Sequence, residues 1–308
     1  MEARDRKSQL GFSKRYSFSG KETALLNTKS VYKQIEVQLS NNFFNNVLLH
    51  LMAPKLTITF LGTGTSTGIP MIACGCYVCT SLDANDKRLR SSILVQSETT
   101  TFVVDTTPDF RYQMLRINNQ KLDAVLFTHP HKDHTAGLDD VRPYNFFSQQ
   151  TIDVYANSLT EEALRREFAY VFSDYRYPGI PDLNLVTIDN SPFVIGDIPV
   201  QPITVWHHKM PVYAYRFGDF TYITDANRID EQEKEKIKGS KIMVVNALRR
   251  ENHISHFTLQ QAIALATELQ VPETYFTHIS HQLGRHTEVE AELPAGIHMA
   301  YDGLQLHI

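Results

Sequence analysis

From Lys55 onward the chain is broken into short apolar runs rather than long amphipathic stretches. Residues 56–61, 92–96, 101–105, 123–128, 152–155, 199–205, 212–217, 220–224, 241–246 and 273–277 are rich in Val, Ile, Thr, Phe and Tyr and predict strands. Helix signals are fewer. Ser158 with Glu161 reads as a capping box ahead of Leu164, Phe168 and Val171. Asp230 caps a short charged helix that Gly239 ends. Thr258 with Gln261 caps a helix whose apolar positions are Ile263, Ala266 and Leu269, stopped before Pro272. Many strands and few helices predict an α+β chain in which sheet packs on sheet with helices outside.

Residues 1–53 lack this pattern. They are rich in Ser, Lys, Asn and Gln and read as a disordered N-terminal extension, with the folded domain at 54–308. Met52 stands where a start codon suits that domain, so residues 1–51 are either a tail or sequence upstream of the native start.

Composition adds little to the fold but narrows the function. With 42% hydrophobic and 21% charged residues, this is an ordinary globular balance. A formal charge of −4 argues against a broad nucleic-acid surface, though not against a small phosphate-bearing substrate. No run approaches the roughly 20 apolar residues of a membrane span; Phe43 to Met52 is short and broken by asparagines, and no signal peptide is visible. The expectation is a cytoplasmic protein. Exposed sheet edges would allow a homodimer.

The chemistry is concentrated in Phe127-Thr128-His129-Pro130-His131-Lys132-Asp133-His134, directly after an apolar strand. Imidazole and carboxylate suit Zn²⁺, Mn²⁺ or Fe. The His129-x-His131 alternation points two rings to one side, and the turn that follows carries Asp133 and His134 toward a second position. Two ligand sets facing different ways predict a two-metal site.

These residues resemble the signature of the metallo-β-lactamase superfamily. That resemblance implies a four-layer αββα sandwich over 54–308, and a later His, Asp and His each closing a strand. Val205-Trp206-His207, Ile223-Thr224-Asp225 and Phe276-Thr277-His278 match. The resemblance implies one metal on His129, His131 and His207, another on Asp133, His134 and His278, and Asp225 bridging them. His208 is a rival to His207. Cys74-Gly75-Cys76-Tyr77-Val78-Cys79 places three thiols at zinc-binding spacing. With His281 they resemble the structural Cys₃His zinc of the PhnP-like phosphodiesterases. The same resemblance makes His256 a candidate general acid or donor to phosphoryl oxygens, with His253 as the alternative, and places Asp133 in the catalytic machinery.

The implied function is metal-dependent hydrolysis of a small or cyclic phosphodiester, with two Mn or Zn ions in the active site and one structural Zn. A tRNA 3′-processing endonuclease shares the ligands, but no tRNA-binding arm is visible. A non-enzymatic metal-binding accessory protein of cofactor biosynthesis is disfavoured because Asp133 and Asp225 are both retained.

Four features carry less. Gly62-Thr63-Gly64-Thr65-Ser66-Thr67-Gly68 could hold phosphate on backbone N–H groups, but it lacks the P-loop ending. Lys87–Arg90 reads as a solvated basic face. Asp105 and Asp109 read as structural or as orienting a ligand. Tyr144, Phe146 and Phe147 read as core or pocket wall.

Overall fold

Two sheets face each other in the computed structural model, which describes residues 54–173 and 177–308. The expected extension at 1–53 lies outside the described residues. The first sheet runs in the order β15 (Gln305–His307), β1 (Thr57–Gly62), β2 (Ser92–Gln96), β3 (Thr101–Val104), β4 (Ala124–Leu126), β5 (Ile152–Ala156), β6 (Leu183–Thr187). The second runs β11 (Arg228–Ile229), β8 (Ile198–His207), β9 (Met210–Phe217), β10 (Phe220–Tyr222), β12 (Ile242–Asn246), β13 (Glu273–Thr277), β14 (Ile297–Met299), with β7 (Phe193–Ile195) paired to β8. β3 to β6 are mutually parallel, as are β10, β12, β13 and β14.

Alternation along each strand assigns side chains to three apolar layers. Phe102 and Val104 point between the sheets, where they join Phe60, Tyr215, Phe217 and Val244. Val103 points the other way, into a layer with Val125, Phe127, Phe110 and Leu164. In the second sheet Met243 and Val245 face outward onto Ala262, Leu265 and Leu269. Both faces of each sheet are therefore covered. That is why the strands read as nearly continuous apolar runs. Three apolar layers require four structural ones, the expected αββα sandwich.

Helices α1 (Phe110–Arg116), α2 (Lys132–Thr135), α3 (Arg142–Ser148) and α4 (Ser158–Glu167) follow strands of the first sheet. After strands of the second come α5 (Glu231–Ile237), α6 (Leu259–Leu269) and α7 (His286–Glu290). The capping box of α6 is present, with Thr258 Oγ1 accepting from Gln261 N at 3.2 Å and Gln261 Oε1 accepting from Thr258 N at 2.9 Å. Two other caps differ from expectation. Asn157, not Ser158, caps α4 by accepting from Thr160 N at 2.8 Å. The Glu161 carboxylate is engaged instead by the Thr187 hydroxyl and Arg165. Asp230 occupies the cap position of α5 but spends its carboxylate on Trp206 Nε1 at 2.8 Å.

Short strands at β6, β7, β11, β14 and β15 escaped the sequence pattern. Most are two or three residues long, and β15 alternates Gln, Leu, His as an edge strand half in water. The aromatic cluster divides between core and pocket wall: Tyr144 is partly buried against the first outer layer, and Phe146 and Phe147, 71% and 82% exposed on α3, line a surface pocket with Arg142, Pro143 and Ile180. No helix among the described residues is long and apolar enough to cross a membrane.

Candidate metal centre

The chemistry-bearing residues sit where strands end at one rim of the sandwich. His129 and His131 lie just past β4, and α2 then turns Asp133 and His134 inward. His207 is the last residue of β8, Asp225 lies just past β10, and His278 follows β13 directly. Asp105, just past β3, Asp225 and His278 all take the left-handed backbone, with φ of 67°, 56° and 53°. Asp, Asn and His enter that region more readily than other non-glycine residues, and here it swings each side chain off its strand into the rim.

Two groups of donors converge. Single ligand atoms of His129, His131, His207 and Asp225 lie within 4.8 Å of one another, and so do those of Asp133, His134, Asp225 and His278. Asp225 belongs to both. Its Oδ2 is 3.7 Å from His129 Nε2, while its Oδ1 is 3.4 Å from His134 Nε2 and 3.1 Å from His278 Nε2. His129 Nε2 and His131 Nδ1 lie 3.1 Å apart. Ligand nitrogens that share one ion sit about 3 Å from each other.

Three of the rings are aimed by their other nitrogen. Asp105 Oδ2 lies 2.7 Å from His134 Nδ1, and the Ser255 carbonyl 3.0 Å from His207 Nδ1. Thr128 Oγ1 lies 2.9 Å from His129 Nδ1 and donates to Asp105 Oδ2 at 2.8 Å. His134 Nε2 and both nitrogens of His278 are buried without a hydrogen-bond partner among the described residues, since the carboxylate approaches lack hydrogen-bond geometry. Buried polar atoms left this way are costly unless something else satisfies them. Converging imidazoles and carboxylates with such orphaned atoms fit two divalent cations.

Electrostatics agree with that balance. Burial disfavours charge on Asp225, but His278, His134 and His129 outweigh it and hold its pKa well below the carboxylate range. Burial likewise opposes a charged His134, yet Asp133, Asp225 and Asp105 outweigh it and raise its pKa well above the usual value. His129 shifts the other way, well below the usual value, through burial first and His134 second. Asp105 thus orients a ring that Asp133 and Asp225 also hold. Asp105→Asn should therefore weaken metal retention about 10- to 100-fold. Metal content after dialysis against graded chelator checks this; unchanged retention would remove Asp105 from the centre.

His208 is exposed and outside both groups, its backbone N–H donating to Asn227 Oδ1 at 2.9 Å. His256 is buried, its ring 4.7 Å from that of His207 and 4.8 Å from that of His278. Burial pushes its pKa down to about 3. His253 lies 5.0 Å behind it, ring to ring.

Cys74, Cys76, Cys79 and His281 form a third group within the same 4.8 Å limit. His281 Nδ1 is 3.4 Å from Cys74 Sγ and 3.3 Å from Cys76 Sγ. Hydrogen bonding from the Cys79 backbone, then from His281, lowers the Cys76 thiol to about 6, whereas burial lifts Cys79 to about 11. Three thiols and one imidazole suit a tetrahedral zinc.

Comparison with known proteins matches the model of the Beta-lactamase superfamily domain over residues 100–279, more than half of the chain. This chain belongs to the metallo-β-lactamase superfamily. A solved structure described as a new diphosphatase from the PhnP family is 40% identical and covers 83% of this chain and 98% of its own, with a TM-score of 0.79. An octanoyltransferase of Porphyromonas gingivalis is 39% identical over 248 residues, 80% of this chain but 50% of its own length. A coenzyme PQQ synthesis protein B of Methylobacterium radiotolerans is 26% identical over 166 residues, covering 47% of this chain and 54% of its own. The chain thus spans about half the length of these two curated relatives.

One expectation around this superfamily site is corrected. Arg88 is not solvated: it is 3% exposed and donates to Thr63 Oγ1 at 2.8 Å, beside His286 Nδ1 at 3.1 Å. In the loop at Gly62–Gly68 the chain holds three of the N–H groups. Gly64 N donates to Leu89 O at 2.7 Å, Thr65 N to Ile279 O at 2.9 Å and Gly68 N to Thr65 O at 2.8 Å. A Cβ at Gly62 would meet the Arg90 carbonyl oxygen at 1.9 Å, so glycine serves close packing there. Sequence reasoning missed Asn227. Its Oδ1 receives His208 N and its Nδ2 donates to Ile254 O at 3.2 Å, clamping the loop before His256 onto the β8–β9 turn.

Proposed function

We propose that this chain is a metal-dependent phosphodiesterase acting on a small or cyclic phosphodiester. The observation that carries this reading is Asp225, one carboxylate shared by two adjacent donor sets. Two divalent cations, Mn or Zn, held by His129, His131, His207, Asp133, His134 and His278 with Asp225 between, would activate water and neutralise phosphoryl charge. The 40% identical diphosphatase supports a phosphorus-centred substrate. Cys74, Cys76, Cys79 and His281 would hold a structural Zn.

The chain's own residues do the rest. Asp105, Thr128 and the Ser255 carbonyl keep three rings in place, so little reorganisation accompanies the reaction. His131 is exposed and marks the open side by which substrate enters. His256 lies between the two sets. Burial keeps it neutral near pH 7, which suits an N–H donor to a phosphoryl oxygen better than a proton donor to the leaving group.

The test is turnover of bis(p-nitrophenyl) phosphate and a ribosyl 1,2-cyclic phosphate by full-length protein shown to contain its metals. Turnover of either supports the reading; none on both overturns it. His256→Gln should lower kcat on both esters by a similar factor, about 100-fold. A much greater loss on the alkoxide leaving group than on nitrophenolate would instead assign His256 to proton transfer.

A further inference from the structure

The pairing of β10 with β12 continues one residue past β10, where Ile223 N donates to Val244 O at 2.8 Å. Two residues later the chain takes the left-handed turn at Asp225, with φ of 56°. That backbone shape cannot continue a strand ladder. Asn246, the last residue of β12 and fully buried, takes over with its side chain. Its Oδ1 accepts from Ala226 N at 2.8 Å and its Nδ2 donates to Ala226 O at 3.0 Å. One amide side chain thus supplies both the acceptor and the donor that a strand partner would have given. Leucine here would supply neither, and Ala226 N–H is buried, so losing its partner is costly. Phe257 N adds a bond to the same Ala226 carbonyl at 2.7 Å, and Asn227 N donates to Trp206 O at 2.9 Å. The chain just after Asp225 is therefore held from three elements.

Thr224 acts on the carboxylate itself. It is fully buried, and its Oγ1 donates to Asp225 Oδ1 at 2.7 Å. Threonine is stiff at χ1, so the direction of this donor follows from the backbone. Oδ1 is the oxygen 3.1 Å from His278 Nε2 and 3.4 Å from His134 Nε2. Oδ2, which Thr224 does not hold, approaches His129 Nε2 at 3.7 Å. A carboxylate oxygen has two lone pairs, so Oδ1 can accept from Thr224 and still serve the donor set it faces. The hydrogen bond fixes the rotation of the carboxylate and so decides which oxygen goes to which set.

Resting on the two-ion reading of the centre, we propose that Thr224 and Asn246 are positioning residues that make Asp225 a bridge. Asn246 sets where the residue stands, and Thr224 sets how its carboxylate is turned. Neither belongs to either donor set; both act through Asp225. Two effects of the Thr224 hydroxyl oppose each other. It draws some charge from Oδ1, which weakens that oxygen as a ligand, and it holds the oxygen in the one orientation that serves both sets. Orientation wins, because the hydrogen-bonded partners of metal ligands are worth about 10- to 100-fold in metal retention.

The experiment counts ions by elemental analysis in full-length, zinc-loaded protein dialysed against graded chelator, with alkylation of Cys74, Cys76 and Cys79 followed in the same samples. Thr224→Val keeps the shape of the side chain and removes the hydroxyl. It should lower retention of the active-site ions about tenfold while the three thiols stay as protected as in wild type. Thr224→Ser should restore most of that loss. Asn246→Leu should lower retention further. Thr224→Val leaves every backbone bond in place, so it decides the matter even if Asn246→Leu fails to fold. Retention by Thr224→Val equal to or tighter than wild type overturns the assignment, as does a loss that serine does not restore or one that exposes the thiols equally. Wild type that itself keeps fewer than two active-site ions overturns the two-ion reading and this assignment with it; wild type that keeps two, matched by Thr224→Val, overturns the assignment alone.

Discussion

Asp225→Asn should cost at least about a thousandfold in turnover of bis(p-nitrophenyl) phosphate, roughly 4 kcal/mol of barrier. Asparagine keeps the shape, and it tolerates the left-handed backbone at this position. What goes is the negative charge. In the folded protein that carboxylate is 2% exposed and faces His129, His134 and His278 together. Without it two cations bound in the two donor sets would lose the ligand proposed to be common to them and would repel each other across a dry site. Metal content should therefore fall below two active-site ions per chain, measured by elemental analysis beside the kinetics. A variant that kept both ions and a tenth of the activity would show that Asp225 bridges nothing.

Cys76→Ser should do damage in two places. The first is local: the proposed zinc site would lose one thiolate ligand, and with it most of the affinity of the Cys₃His group for a metal. Val78 and Cys79 are buried in the outer layer of the second sheet. Loosening their loop should cost on the order of 4 kcal/mol, about 8–16 °C in Tm for a domain of this size. The second effect is remote. His281 is three residues from His278, and Ile279 between them is locked to the first loop through Ile279 N to Thr63 O and Thr65 N to Ile279 O, both 2.9 Å. A released His281 lets that segment shift, so the active-site metal on Asp133, His134 and His278 should be retained less well. Unchanged melting and unchanged total metal would mean that the thiols hold no ion.

How much of this was legible in the sequence depended on distance along the chain. The four residues from His129 to His134 follow one strand so closely that strand alternation and a single turn explain their two directions. His207, Asp225 and His278 could be found only by resemblance, because nothing local distinguishes an Asp closing β10 from any strand-end Asp. The layers were legible because a strand buried on both faces leaves an apolar run. β14 and β15 were not, being three residues each with a polar residue in every second or third place. Arg88 misled for a different reason. Charge normally means exposure, and its buried place depends on Thr63, Ala300 and His286, partners as many as 212 residues away.

The left-handed residues that close β3, β10 and β13 have a consequence for how this site could change over generations. At Asp105, Asp225 and His278 one residue answers two demands, a backbone shape that strains most side chains and a donor atom at the rim. Glycine and asparagine satisfy the first demand without supplying an equivalent donor. Glutamate would offer a carboxylate but takes the shape at a cost of about 1 kcal/mol or more. Drift at these three positions has almost no neutral neighbours. New specificities in this lineage should therefore be found in the loops beyond the strand ends, with the strand-closing residues held fixed.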